Sequence, residues 1–168
     1  ARAASVDPAA SAALSLVLAR AVGMPRGITA GQGWESEARI DLDAYHRAKT
    51  GALFVAAATA GAIAAGRDPG PWRALGEKLG EAYQVADDLA DAFASESETG
   101  KPAGQDAAPA RPSAVAALGP EGALAKLEGL IEEAACAIPP CPGAGALRDL
   151  VRLQAKRLAP TSLAARVA

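Results

Sequence analysis

The segment Tyr83-Gln84-Val85-Ala86-Asp87-Asp88-Leu89-Ala90-Asp91 places three carboxylates inside an otherwise apolar stretch. On a helix of 3.6 residues per turn, Gln84, Asp87, Asp88 and Asp91 fall at i, i+3, i+4 and i+7 and form one polar stripe. Like charges at that spacing repel, so the cluster calls for a compensating cation. Oxygen-only ligands of this kind suit magnesium, which keeps several waters and is commonly completed by phosphate oxygens. A solvated helix face carries the same pattern, and the spacing alone favours that simpler reading. Two further features have the right charge for phosphate. Lys49-Thr50 pairs an ammonium with a hydroxyl, and Lys101 opens the polar stretch after the acidic helix. Taken singly, a helical lysine usually serves only the outer surface.

These residues need helices to hold them. Asp7-Pro8 reads as an N-cap followed by proline at the first helical position, which starts a helix over roughly 7–22 that ends before Gly23. Gly27 to Gly33 predicts a short helix in which small residues admit close neighbours. Asp41 or Asp43 then caps a long segment running to Gly66, whose interior is unusually small. Asp68-Pro69-Gly70-Pro71 is a break and restart. Leu75, Leu79, Ala82, Tyr83, Ala86, Leu89, Ala90 and Phe93 recur at helical spacing, giving a fourth helix to about Ser95. A long polar loop is expected over 96–112, then a short helical piece over 113–118, a restart at Gly119-Pro120 and a helix to about Ala137. After the Pro139-Pro140-Cys141-Pro142 break, a last helix spans about 144–159. The reading is all-α, a helical bundle in a single domain over 1–168.

Composition narrows the function classes. The 168 residues are 51% hydrophobic but only 4% aromatic, with few strand-formers. A net charge of −2 gives no basic field for a nucleic-acid backbone, so no nucleic-acid partner is expected. The apolar stretch from Gly51 to Gly66 falls short of the roughly 20 residues of a membrane span, so no integral membrane segment is expected. No secretory signal is evident, and the cytoplasm is the default location. Cys136, Cys141 and the single His46 lack metal-site spacing and read as ordinary side chains. The chain begins Ala-Arg-Ala without an initiator Met, which suits a processed protein, a truncation or a fragment.

In order along the chain stand Lys-Thr-Gly-Ala-Leu, Tyr-Gln-Val-Ala-Asp-Asp-Leu-Ala-Asp and Gly-Lys-Pro-Ala-Gly-Gln-Asp. Together with Ala-Gly-Gln-Gly-Trp-Glu-Ser-Glu and Ala-Tyr-His-Arg-Ala-Lys-Thr, this set resembles the C-terminal half of the trans-isoprenyl diphosphate synthases, most closely the short-chain geranylgeranyl or farnesyl type of purple photosynthetic bacteria. With the ordered set in view, the magnesium reading of the acidic stripe outweighs the solvated face. The resemblance implies an isoprenoid-synthase helical bundle. It also implies magnesium-assisted ionisation of an allylic diphosphate, followed by attack of isopentenyl diphosphate on the cation. Asp87, Asp88 and Asp91 would be the metal ligands. Lys49, Thr50, Gln84 and Lys101 would act at the allylic diphosphate, and Gln32, Asp106 and Arg111 would support substrate binding. Tyr83 stands where the family has phenylalanine. A homodimer packed through the first and third helices is also implied.

The family carries two aspartate-rich motifs, and this sequence contains one. Glu35, Glu37, Asp41 and Asp43 form a looser group and read as a surface segment. A lone copy is therefore expected not to turn over by itself. The alternatives are a non-catalytic partner of a full-length synthase and a plain helical interaction domain.

Overall fold

The computed structural model describes residues 7–39, 41–93 and 113–155. They form α1 (Pro8–Val22), α2 (Ile28–Trp34), α3 (Leu42–His46), a π-helical turn (Arg47–Gly51), α4 (Ala52–Ala64), a 3₁₀ turn (Gly70–Trp72), α5 (Arg73–Phe93), α6 (Ala114–Cys136) and α7 (Ala144–Ala155). No strand occurs among the described residues. The polar loop expected over 96–112, and residues 1–6, 40, 94–95 and 156–168, lie outside them.

Local chemistry sets the boundaries. The Asp7 side chain accepts hydrogen bonds from the amides of Ala9 and Ala10, satisfying two donors that a helix start leaves orphaned. Asp41 does the same for Ala44 at the start of α3, and Ser113 for Ala116 at the start of α6. Inside α6, Gly119 adopts φ 70° and ψ 173°, a combination open essentially to glycine, and Pro120 restarts the helix. The expected restart is thus a kink within one element. At the other end of α6 the Arg148 guanidinium donates to the carbonyls of Ala135 and Ile138, a cationic cap on the negative helix end.

The core lies where α5 meets α6. Leu75, Val85 and Leu89 of α5 pack with Leu127, Leu130 and Ile131 of α6, joined by Ile138 and by Val151 of α7. Leu89 is fully buried. On its other side α5 meets α4 through glycine. A Cβ added at Gly76 would stand 2.5 Å from the Cα of Val55, and one at Gly80 would stand 2.8 Å from the Cα of Gly51. The two main chains therefore touch. The α4 hydroxyl of Thr59, which is buried, donates to the carbonyl of Val55 one turn back and is satisfied within its own helix. No described helix is long and apolar enough to cross a membrane.

Candidate functional site

A cavity of about 1370 Å³ is bounded by α1, α3, the π turn, α4, α5 and α6. Its apolar lining comes from small residues, among them Ala48, Gly51, Ala52, Val55 and Ala56. Its polar lining carries both signs. Glu77, Glu81, Gln84 and Asp88 stand on the α5 side, while Arg20, Arg26, Arg47 and Lys126 contribute cations that form no ion pair with a described acid.

The first hydrogen-bonded group is built on α5 and α6. Gln84 Nε2 donates to Asp88 Oδ1 at 3.2 Å, the i, i+4 contact that one helix turn provides. The other oxygen of Asp88 accepts the Ala114 amide at 2.7 Å. Asp88 thus sits at the positive end of α6, where partial charge and an unsatisfied amide both favour an anion. Asp87 and Asp91 lie on the exposed side of the same helix. Among the described residues no three acidic or imidazole or thiol groups converge on one point. A magnesium ion needs only one or two carboxylates when waters and phosphate oxygens complete its shell, so the donor chemistry of Asp88 with a neighbouring aspartate fits that ion.

The second group is built on α2, α3 and the π turn. Lys49 Nζ donates to Glu35 Oε1 and, at 2.7 Å, to the hydroxyl of Tyr45. That hydroxyl in turn donates to Glu35 Oε1, and Gln32 Nε2 donates to Glu35 Oε2. The Lys49 ammonium, then the Tyr45 hydroxyl, hold the Glu35 carboxyl down to about 2. Glu35, with Tyr45 second, holds the Lys49 ammonium above the ordinary lysine value. Gly31 lies so near that an added Cβ would stand 2.9 Å from the Cβ of Lys49. The π turn carries Lys49 and Thr50 together, a widening of the helix of the sort that clusters at functional sites.

Of the sequence-derived site residues, the structure brings Gln84 together with Asp88, and Gln32 with Lys49 through Glu35. Thr50 is half-buried beside Lys49. Lys101, Asp106 and Arg111 lie outside the described residues. Glu35 is exposed, as its reading within a surface acid segment has it, and in addition both its oxygens accept from side chains of the site. Tyr45 is a further site residue that the sequence reading does not name. Its position four residues before Lys49 is the local signal that points to their contact, whereas Glu35 is fourteen residues away on another element. The role of Ala114 in holding Asp88 leaves no mark in the sequence at all.

The description of polyprenyl synthetases matches residues 11–135. The chain is 53% identical to the geranylgeranyl diphosphate synthase of Cereibacter sphaeroides over 99% of its own length and 58% of that protein's. It is 49% identical to the geranylgeranyl diphosphate synthase of Rhodobacter capsulatus over 92% of its length and 53% of that protein's. The chain thus spans little more than half the length of these curated relatives. Its fold is similar to the crystal structure of an FPP/GFPP synthase from Zymomonas mobilis, at 27% identity and a TM-score of 0.66 over 88% of this chain and 51% of that one. An all-α bundle of this shape, with half of its positions shared with two geranylgeranyl diphosphate synthases, has one family to go to: the chain belongs to the polyprenyl synthetases.

Proposed function

We propose that the chain is the C-terminal part of a short-chain isoprenyl diphosphate synthase that condenses isopentenyl diphosphate with an allylic diphosphate to geranylgeranyl or farnesyl diphosphate. The observation that carries this reading is the bonded pair Gln84 and Asp88 on the wall of a cavity whose apolar lining is small and whose polar lining includes Arg20, Arg26, Arg47 and Lys126. Asp88, with Asp87 and Asp91 on the adjoining turn, would hold magnesium, which when bound supplies positive charge to the oxygens of a leaving diphosphate. Lys49, Thr50 and Lys101 would bind further diphosphate oxygens, with Gln32, Asp106 and Arg111 in supporting contacts. Gln84 orients the Asp88 carboxylate and keeps one of its oxygens facing α5. The apolar wall of Ala48, Ala52, Val55 and Ala56 would exclude water from a developing allylic cation, which water would otherwise quench. The aspartates serve as ligands, so the proton lost at the end of the condensation would pass to the released diphosphate anion, a base that the reaction itself supplies.

In this reading the protein is a homodimer in the cytoplasm. Large apolar side chains left exposed on α1, among them Leu16 and Leu18, and Leu53 on α4 support a covered face. The test of the site uses inorganic pyrophosphate with magnesium, titrated calorimetrically into the purified chain. Binding is expected, and Asp88→Asn is expected to weaken it at least about tenfold, the order of a lost charged contact. Asparagine keeps an oxygen for the Ala114 amide, so the loss reports charge and not folding. Equal binding by the variant would remove Asp88 from the site. Intact pyrophosphate binding, without condensation even when the remaining length of the relatives is supplied as a second chain, would favour the non-catalytic partner.

A further inference from the structure

We propose that Glu35 and Tyr45 are positioning residues for Lys49: together they hold its ammonium so that a single proton is left to point at an anionic oxygen. The inference rests on the reading above that Lys49 meets a diphosphate, and it adds the part of the molecule that aims the lysine there.

Counting donors leads to it. A lysine ammonium has three protons and no acceptor. One goes to Glu35 Oε1 and one to the Tyr45 hydroxyl. The hydroxyl donates its own proton to the same Glu35 oxygen, which closes a three-membered ring of hydrogen bonds. Glu35 is fixed independently, because its second oxygen accepts from Gln32. The base of the lysine is fixed as well, since Gly31 of α2 leaves no room between its backbone and the Lys49 Cβ. The side chain is thereby held at both ends, and one proton of the ammonium has no acceptor among the described residues. The lysine side chain is about one third exposed, so a ligand can reach it from solvent.

A free lysine has a four-carbon stem with large rotamer freedom, and ordering it on binding weakens affinity. Prior ordering by Glu35 and Tyr45 removes that cost. The carboxylate opposes the ligand's own charge, but its charge is already matched by the ammonium it holds. Positioning is therefore expected to outweigh repulsion, and loss of either partner is expected to weaken anion binding.

The probe is inorganic pyrophosphate with magnesium, titrated into the intact chain and into Glu35→Gln, Tyr45→Phe, Lys49→Ala and the double variant Glu35→Gln/Lys49→Ala. Circular dichroism melts accompany each, and Tyr45→Phe serves as the second readout should Glu35→Gln fail to fold. Glu35→Gln and Tyr45→Phe are each expected to weaken binding about three- to tenfold, the size of one long side chain's ordering. Once Lys49 is alanine, Glu35→Gln is expected to change nothing further, because its effect runs through the lysine. A purely structural role would weaken binding in both backgrounds and would overturn the proposal. Tighter binding by Glu35→Gln would overturn it too, making Glu35 a competitor of the ligand. If Lys49→Ala weakens binding while both Glu35→Gln and Tyr45→Phe leave it unchanged, the diphosphate reading stands and this inference falls. If Lys49→Ala binds as the wild type does, the reading of Lys49 and the role of Glu35 in it fall together.

Discussion

Glu35 stays ionised far into acid because both its oxygens accept hydrogen bonds, one of them from an ammonium. Its folded value of about 2 lies below the ordinary 4.5, so the folded chain binds this proton less readily than the unfolded one. The contribution to stability is therefore full above 4.5 and is lost as pH falls toward about 2. Lys49 behaves in the opposite sense: its value is raised, so its share is full below the ordinary 10.5 and fades only as pH climbs through the raised value. The groups facing the carboxyl are Lys49, Tyr45 and Gln32, and among the described residues no second acid bonds to it to confuse the titration. The melting-temperature gap between wild type and Glu35→Gln should shrink between pH 4.5 and about 2, and circular dichroism would show it. A gap that stays constant across that window would mean that the carboxylate is not held by these bonds.

At the scale of elements, the helical glycines divide into those that a neighbour requires and those that none does. Gly76 and Gly80 face backbone atoms of α4 and of the π turn, which cannot swing aside as a side-chain tip can. Gly76→Ala and Gly80→Ala are expected to destabilise the fold by about 1–3 kcal/mol each through overpacking. Gly61 of α4 and Gly129 of α6 meet nothing within 4 Å, so alanine there should stabilise by about 0.5–1 kcal/mol. Urea unfolding of the four variants checks both signs, and a stable Gly80→Ala would refute the close crossing. These packing glycines look no different from the permissive ones in the sequence. What the sequence does show is chemistry within a turn's reach: Asp7-Pro8, Asp41, Ser113 and Gly119-Pro120 all act on amides or dihedrals a few residues away. The π turn escaped because its widening is set by α2 and α5 packing against it, with no residue pattern of its own.

For the whole molecule, the ordered motifs identified the family and the all-α class, because long apolar periodicity and motif order survive without coordinates. The assembly of the site was less legible. Glu35 reaches Lys49 and Ala114 reaches Asp88 only once helices distant in sequence have packed, so no spacing rule finds either contact. Assembly beyond one chain rests on the exposed apolar side chains. Leu18 is 59% exposed on α1 and Leu53 is 42% exposed on α4. If they line the proposed dimer contact, Leu18→Glu combined with Leu53→Glu should raise the dimer dissociation constant by more than about tenfold, since buried charge at a contact is costly. Sedimentation velocity at several concentrations reads this directly, and an unchanged dimer would place the contact elsewhere.

The touch of main chain on main chain between Gly51 and Gly80, and between Val55 and Gly76, has a further consequence. Backbones in contact act as a hard stop, so the spacing of α4 and α5 is independent of which side chains grow from them. Trimming Val55 or extending Ala56, both on the cavity wall, then alters the room inside by the bulk of that one group while the scaffold stays put. The molecule keeps its frame rigid and leaves its capacity adjustable, one residue at a time.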